Sequence, residues 1–424
     1  MRIALVAPGT TPPAHGAGPG AASADRITPL AQALAGLGHR VVIYARRDSR
    51  GLPSSSILCP GASIEYVPAG PPAPLDDADL TAHLPEFAEY LAQRWRRNPP
   101  HVVDAHFWTS GLAALAGTRG LGLPVVQTFT SLATAEQRYG LRQPAGQDPR
   151  RRLEAAVARS ADLVLASSEE ELADLARLGA PRPRIRVVPC GVDTQRFTPE
   201  GPAAERNGRR RLVAAQPLTA TRDVVVAVRA LAEIPDAELV ITGGPDPAKL
   251  SRDPARREIL TLAKKLGVAD RLVFTGRMAE ADLPALLRSA DLVVSTAAYE
   301  PVGLAALQAM ACGTPVVACA AGAEQDAVVD MTTGLHAMPG HPAELARHIR
   351  RLLASPVRLE AYGIAAADRA QSRYSWDRIA RETVAAYEAL ARRAAAATQA
   401  AHGPRAQDSG SPAAARRARA GAPA

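Results

Sequence analysis

Aromatic residues and lysine are both scarce in this chain of 424 residues. Aromatic residues make up 4% of it, and lysine occurs only at positions 249, 264 and 265, so arginine carries almost all of the positive charge. Proteins that bind nucleic acids combine a basic stripe with aromatic side chains on which bases stack. The net charge of +8 therefore does not predict nucleic-acid binding, and it is equally compatible with anionic small-molecule ligands.

The sequence also has few cysteines and no long apolar run. Its four cysteines form no CxxC pair and have no histidine at metal-ligand spacing beside them, so we expect reduced, mostly buried thiols and no metal site. No apolar run has the length that spans a bilayer. The N-terminus, "MRIALVAPG", lacks the pattern of a secretory signal. These features predict a soluble, cytoplasmic protein.

What the sequence has in abundance is an alternation of short apolar segments with helical patterns. The segments "RIALVAP" and "RVVIYARR" flank a helical pattern, and the same order restarts with "RLVAAQ" at residue 211. Continuous apolar strands are typical of a parallel sheet that is covered on both faces. The pattern predicts an α/β fold of two tandem doubly wound domains, with these boundaries: domain 1–197, linker 198–210, domain 211–370, terminal helix 371–395 and disordered tail 396–424. Ligands of such sheets bind beyond the carboxyl ends of the strands, so the cleft between the domains is the predicted site.

The stretch "YEPVGLAALQAMACGTPVVA", residues 299–318, places an acid at such a strand end. Proline suits the first turn of a helix, so we expect a helix to begin at Pro301–Gly303. The free backbone N–H groups of Val302, Gly303 and Leu304 are then suited to hold a phosphate beside Glu300. The alternative is purely structural, because Glu300 also complements the helix dipole and Gly303 also relieves crowding.

Several segments in the right order give the chain, to about residue 393, a specific resemblance to a known family. It resembles the retaining nucleotide-sugar glycosyltransferases of family 4 (group 1), which have the GT-B fold of two Rossmann-like domains and a C-terminal crossover helix. The branch it is most similar to contains sucrose-phosphate synthases and the actinobacterial inositol-phosphate glycosyltransferases. The resemblance rests on residues 299–318 and on "ADLVLASSEEE", "VVPCGVDTQRFTP", "RSADLVVST", "DAHFWTSGLAALAG", "LGLPVVQTF" and "YSWDRIARETVAAYEAL".

The resemblance implies a reaction. A hexose passes from a UDP-, GDP- or ADP-sugar to a hydroxyl of a small-molecule, glycan or lipid acceptor, with retention at the anomeric carbon and without a metal or other cofactor. Glu300 matches the family's acid that contacts the transferred sugar. The family's other site positions are occupied here by different residue types: Gln308 for the ribose-binding acid, Pro217 and Arg222 for an Arg and a Lys on the diphosphate, Gln216 and Asp223 for two glycines, and Thr130 for a His.

Further site residues are implied on both sides of the cleft. On the donor side, Gly243, Gly244 and Gly276 fit strand-to-helix turns, and Arg277 is either a nucleotide contact or a plain loop cation. On the acceptor side, the family's Gly-Gly turn falls on Ala21–Ala22, with Gly18 and Gly20 close by. His106 either faces an acceptor or packs in the core with Trp108. Arg222 likewise either holds a phosphate or is a solvated arginine at a helix end.

The departures at the site leave two functions open. Removing one donor aimed at developing charge typically costs about 10²–10³-fold in rate, so Pro217 predicts weakened transfer. Gln308 predicts ribose binding that is weaker by roughly 1–3 kcal/mol. The alternative is a catalytically silent homologue that binds a sugar nucleotide or acts as the partner of an active glycosyltransferase.

Overall fold

The computed structural model describes residues 1–9, 21–142, 148–215, 218 and 221–401. Its first domain is built on an eight-stranded sheet in the order β3-β4-β2-β1-β5-β6-β7-β8, in which only the β3–β4 pair is antiparallel. The strands are β1 Arg2–Ala7, β2 Arg40–Arg46, β3 Ser55–Cys59, β4 Ala62–Val67, β5 Val102–His106, β6 Val125–Thr128, β7 Leu163–Ala166 and β8 Ile185–Val187.

Helices cover both faces of this sheet. They are α1 Ala21–Gly36, α2 Asp77–Arg97, α3 Trp108–Gly117, α4 Ala133–Arg138, α5 Pro149–Ser160 and α6 Glu169–Arg177. Strands β5, β6 and β7 are buried along their whole length. This two-sided burial explains why the strands are continuous apolar runs rather than alternating ones.

The second domain repeats the architecture with six parallel strands in the order β11-β10-β9-β12-β13-β14. The strands are β9 Arg210–Ala215, β10 Ala237–Thr242, β11 Leu272–Gly276, β12 Leu292–Ser295, β13 Val316–Cys319 and β14 Gly334–Ala337. The helices are α7 Thr221–Leu231, α8 Pro254–Lys265, α9 Leu283–Arg288, α10 Leu304–Ala311, α11 Ala323–Ala327, α12 Pro342–Leu353 and α13 Pro356–Tyr374. The predicted fold class is confirmed. The strand order reverses beside β1 and β9, which is where such sheets bind ligands.

A last helix, α14 Trp376–Ala401, joins the two domains. Trp376 packs against core residues of both domains, and Ile379, Ala380 and Tyr387 lie in the core of the first. The crossover helix begins after Ser375 rather than at residue 371, because α13 continues to Tyr374. Residues 396–401 of the predicted tail are helical, and 402–424 lie outside the described residues. Within the described ranges, no helix has the length and apolar character needed to cross a lipid bilayer.

A buried hydrogen bond fastens α14 to the first sheet. The Tyr387 hydroxyl donates to Asp104 Oδ2 over 2.5 Å, and both side chains are buried. We expect Tyr387→Phe to lower the free energy of unfolding by about 1–3 kcal/mol, since it leaves a buried carboxylate oxygen without its donor. Urea unfolding measures this as a lower midpoint at an unchanged slope. Tyr362→Phe is the control, because the Tyr362 hydroxyl has no hydrogen-bond partner among the described residues; an equal loss there would contradict the prediction.

Candidate active site

The carboxyl ends of β12 and β13 are joined by a close backbone contact, the Glu300–Gly322 seam. Glu300 and Gly322 form a parallel bridge, and the Ala323 N–H donates to the Glu300 carbonyl over 2.8 Å. Gly322 has a φ of +66°, and a Cβ there would lie 2.3 Å from the Glu300 carbonyl oxygen. Only glycine fits this position. The seam therefore fixes the backbone that carries the predicted acid.

The Glu300 side chain folds back onto the loop that follows it. Its Oε1 accepts from the N–H groups of Val302 and Gly303, over 3.1 and 3.2 Å. Burial raises the pKa of Glu300, and these two amides act in the opposite direction. Two of the three amides predicted to hold a phosphate, those of Val302 and Gly303, are thus bound by the chain's own carboxylate.

The prediction that a helix begins at Pro301–Gly303 is wrong. Gly303 has a φ of +72°, in the left-handed region, and α10 begins at Leu304. A residue in that conformation cannot continue an α-helix backward, so Pro301 and Val302 form a turn instead. Gln308 lies one turn after Leu304 on the half-buried face of α10, in line with the i, i+4 spacing.

Arg222, in the first turn of α7, reaches across the cleft to the first domain. Its guanidinium donates to the carbonyls of Tyr139 (3.2 Å) and Gly140 (3.4 Å). It is therefore neither a purely solvated arginine nor free to meet a phosphate in this conformation. The neighbouring Asp223 is buried, which raises the pKa of its carboxyl despite the Ala298 amide and the Arg222 charge. Gln216 and Pro217 lie outside the described residues.

Two tyrosines and an acid complete the contact between the domains. The rings of Tyr139 and Tyr299 stack with centroids 5.0 Å apart, and Tyr299 is buried among first-domain core residues. Glu170 accepts from the Tyr139 hydroxyl and from the Gly322 N–H, each over 2.8 Å. No role was predicted for these residues from the sequence. The available signal was that Tyr299, one of the scarce aromatics, directly precedes Glu300.

The first domain places two strained residues at strand ends facing this region. Thr130 follows β6 with a φ of +61°, and Phe107 follows β5 with a φ of +79°. Such values are unfavourable for residues with a Cβ and tend to occur at functional sites. Arg150 supports both loops: its guanidinium lies 5.2 Å from the Phe107 ring centre and donates to the Ser131 carbonyl over 3.3 Å. The Thr130 hydroxyl donates to the Phe129 carbonyl over 2.6 Å.

His106 lies at the end of β5 in buried surroundings. Its Nε2 is 3.3 Å from Asp104 Oδ2, the oxygen that also accepts from Tyr387. Trp108, two residues on, belongs to the same domain's core. Of the two alternatives for His106, facing an acceptor or packing in the core, the second describes its position in this conformation. Of the other acceptor-side candidates, Gly18 and Gly20 lie outside the described residues, and Ala21 and Ala22 are described only as the first residues of α1.

The predicted glycine turns of the donor side do come together. The Gly243 N–H donates to the Gly276 carbonyl over 3.0 Å, which links the carboxyl ends of β10 and β11. The Arg277 N–H donates to the Pro245 carbonyl over the same distance. These turns line the edge of the second sheet next to β9, where Gly244 packs on Leu218.

Glu324 is a further acid that the sequence did not indicate. It lies in α11, directly after the seam, and its side chain is 0% exposed. Burial and the charge of Glu300 raise its pKa to about 8, while the Ser295 hydroxyl acts in the opposite direction. The short polar segment "AEQDA" resembles a solvated turn, so no pattern in the sequence marks this burial.

Solved structures with the same two-domain architecture define the class of protein. Sucrose-phosphate synthase from Thermosynechococcus elongatus matches with a TM-score of 0.80 and 27% identity, over 93% of this chain and 99% of that one. The Anabaena protein HepE in complex with UDP shares the fold, with a TM-score of 0.69 and 18% identity over 92% of this chain and 100% of that one. The fold is that of the GT-B glycosyltransferases, as predicted.

Sequence comparison then gives the family. The model described as Glycosyltransferase Family 4 matches residues 26–196, and the model described as Glycosyl transferases group 1 matches residues 202–369. The chain belongs to this family of glycosyltransferases. D-inositol 3-phosphate glycosyltransferases from Acidothermus cellulolyticus (34% identical, 94% of this chain, 92% of that protein) and Kribbella flavida (34%, 91% and 95%) are among its relatives. The predicted branch is thereby confirmed.

Proposed function

We propose that this glycosyltransferase transfers a hexose from a UDP-, GDP- or ADP-sugar to an acceptor hydroxyl with retention at the anomeric carbon. The observation that carries the proposal is the Glu300–Gly322 seam, which holds an acid after the carboxyl end of β12. The seam itself contacts the first domain, because the Gly322 N–H donates to Glu170. A negative charge at that place is suited to a sugar whose anomeric carbon becomes positive as the diphosphate departs.

The diphosphate needs fixed positive partners as it leaves, because negative charge builds up on it. The second domain offers the Arg222 guanidinium and the N–H groups of Val302 and Gly303. All three are engaged within the chain in this conformation. Donor binding therefore requires Arg222 to leave the Tyr139 and Gly140 carbonyls and Glu300 to turn from the amides toward a sugar hydroxyl.

Retention places the acceptor on the face of the sugar from which the diphosphate leaves. The first domain supplies that side of the cleft, with Thr130 and Phe107 held in strained conformations at the ends of β6 and β5. Such strain persists only when the surrounding structure supports it, as the Arg150 contacts do here. We infer that these loops shape the acceptor site, whose ligand is a small molecule, a glycan or a lipid.

A second candidate is a silent homologue that binds a sugar nucleotide, or the partner of an active transferase, without turnover. The hydrogen bonds within the site favour this second candidate, since Arg222 and the amides of Val302 and Gly303 are already bound to groups of the chain itself. Gln308 adds to this, because an amide at the ribose position lacks the charge of an acid. We expect that exchange to weaken ribose binding by about 1–3 kcal/mol.

Thermal unfolding with nucleotides separates the candidates. We expect one of UDP, GDP and ADP, or its sugar, to raise the melting temperature by several degrees, because a ligand at a hundred times its Kd stabilises the fold by about 2.7 kcal/mol. Release of nucleoside diphosphate under the same conditions then reports transfer or hydrolysis. Stabilisation with turnover supports the transferase, and stabilisation without turnover supports the silent homologue.

Matched variants of α7 locate the binding site in that experiment. Arg222→Gln removes the cation that faces the cleft, so the nucleotide-dependent shift should shrink. Arg229→Gln removes an exposed cation from the same helix and should leave the shift intact. If no nucleoside diphosphate changes the melting temperature, the transferase and the nucleotide-binding homologue are both contradicted, and the role as a partner of an active transferase remains.

A further inference from the structure

Glu324 and Glu300 are neighbours across the seam; Glu324 is fully buried and Glu300 is half-buried. The Ala323 N–H is bonded to the Glu300 carbonyl, which brings the residue before Glu324 against the acid of β12. From the other side, a Cβ on Gly303 would meet the Glu324 backbone nitrogen at 3.6 Å. Glu324 thus lies beneath the loop onto which the Glu300 carboxylate folds.

Neither carboxylate oxygen of Glu324 meets a hydrogen-bond partner among the described residues, although both atoms are buried. An ionised carboxylate in that state is very costly, and burial next to a second carboxylate adds repulsion. A carboxylic acid avoids both costs, because it carries no charge and has one O–H to donate.

Burial and the charge of Glu300 favour this neutral form of Glu324, and they outweigh the Ser295 hydroxyl, which favours the ionised form. Ser295 on β12 and Cys319 on β13 are uncharged; burial and three acids raise the pKa of the Cys319 thiol to about 12. Those acids are Glu324 itself, Asp223 of α7 and Glu344 of α12. No cation is among the groups that act on Glu324. Within the described chain, no three acids, cysteines or histidines are grouped so that they could hold a metal ion.

We propose that Glu324 is a positioning residue for the sugar transfer. It keeps its proton and donates it to the Glu300 carboxylate, which holds the pair at a single negative charge and aims Glu300 at the donor sugar. This inference rests on the proposed function. In the conformation described here, the acceptor is the oxygen of Glu300 that is not bound to the loop amides. The Glu324 O–H stays on the carboxylate when donor binding releases it from those amides, and so keeps Glu300 oriented.

The arrangement predicts an alkaline limit to transfer. Once the proton leaves, two adjacent carboxylates repel each other and Glu300 loses the group that orients it. We expect wild-type kcat/KM to fall above about pH 8, which is where Glu324 titrates. Glu324→Gln retains an N–H donor that does not titrate in this range, so its profile should lack this limb.

Two further variants make the test specific. Glu324→Leu removes the donor, and below about pH 8 we expect its kcat to be about tenfold to a hundredfold lower than that of the wild type, the equivalent of one hydrogen bond to a charged group. Glu344→Gln is the matched control, since Glu344 acts on Cys319 but not on Glu324; it should keep the alkaline limb. If Glu324→Gln turns over and its pH profile still falls on the alkaline side, the positioning role of Glu324 is overturned. The proposed sugar transfer would not be affected by that result.

A second readout needs no activity. Between pH 4.5, the ordinary pKa, and about 8, the unfolded chain has lost this proton while the folded chain keeps it. Wild-type stability therefore declines across that window relative to Glu324→Gln and levels off above it. We expect the two melting temperatures to diverge as the pH rises. Parallel curves would refute the buried, protonated Glu324, whereas a wild-type protein that turns over no nucleotide sugar at any pH would refute the proposed function itself.

Discussion

Replacing Glu300 with glutamine is expected to lower kcat for sugar transfer by about a hundredfold or more while the fold stays intact. Glutamine keeps the shape of the side chain, and its carbonyl oxygen still accepts from the Val302 and Gly303 amides. What it loses is the negative charge that we propose lies beside the anomeric carbon. Removing one preorganised electrostatic partner of this kind costs about 10²–10³ in rate.

Steady-state kinetics with the donor found by thermal shift measures the effect, and circular dichroism checks the fold. Because the charge matters most in the transition state, kcat should fall more than KM rises. Glu258→Gln, at an exposed acid of α8, is the control that should leave kcat unchanged. A Glu300→Gln enzyme with wild-type kcat would exclude this acid from the reaction.

The strands that carry the site were predictable from the sequence, because a fully buried parallel strand needs an unbroken apolar run. "DLVVST" and "PVVACA" correspond to β12 and β13, whose ends hold Glu300 and Gly322. Ligands of such sheets bind beyond the carboxyl ends of the strands, so the sequence also predicts a candidate site where β12 and β13 end. This part of the prediction depended only on short-range pattern.

The loop after β12 was not predictable in the same way. Proline at the start of an apolar segment favours a first helical turn, which is why Pro301 predicted the helix too early. Gly303 adopts its left-handed φ where the loop lies against Ala323, which belongs to a different part of the chain. A glycine permits that conformation but does not require it, so the sequence alone does not reveal it.

The contacts between the domains were out of reach for a related reason. Tyr139 and Tyr299 stack although they are far apart in the sequence, and Glu170 meets Gly322 from the other domain. Such pairs depend on how two independently patterned sheets meet. The same holds for Glu324, because its burial is produced by the seam and not by its own segment. The site's unexpected features are thus all products of tertiary packing.

Replacing Gly322 with alanine is the strongest structural test of the seam. The new Cβ would lie 2.3 Å from the Glu300 carbonyl oxygen and 2.8 Å from its carbon, at a φ of +66°. Strain at such a backbone conformation costs about 1–3 kcal/mol. Opening the seam also loses the hydrogen bond from Ala323 to Glu300, worth about 1 kcal/mol. We expect the free energy of unfolding to fall by about 2–4 kcal/mol.

Gly340→Ala is the matched control, because Gly340 has a φ of +76° but no atom within 4 Å of the added Cβ. It carries the backbone strain without the collision, so the difference between the two variants measures the seam itself. Urea unfolding gives both values, and kinetics should show that only Gly322→Ala also impairs transfer, since it displaces the backbone of Glu300. If both variants lose the same free energy of unfolding, the backbone at the seam adapts to the added Cβ without cost. The seam would then not fix the position of Glu300.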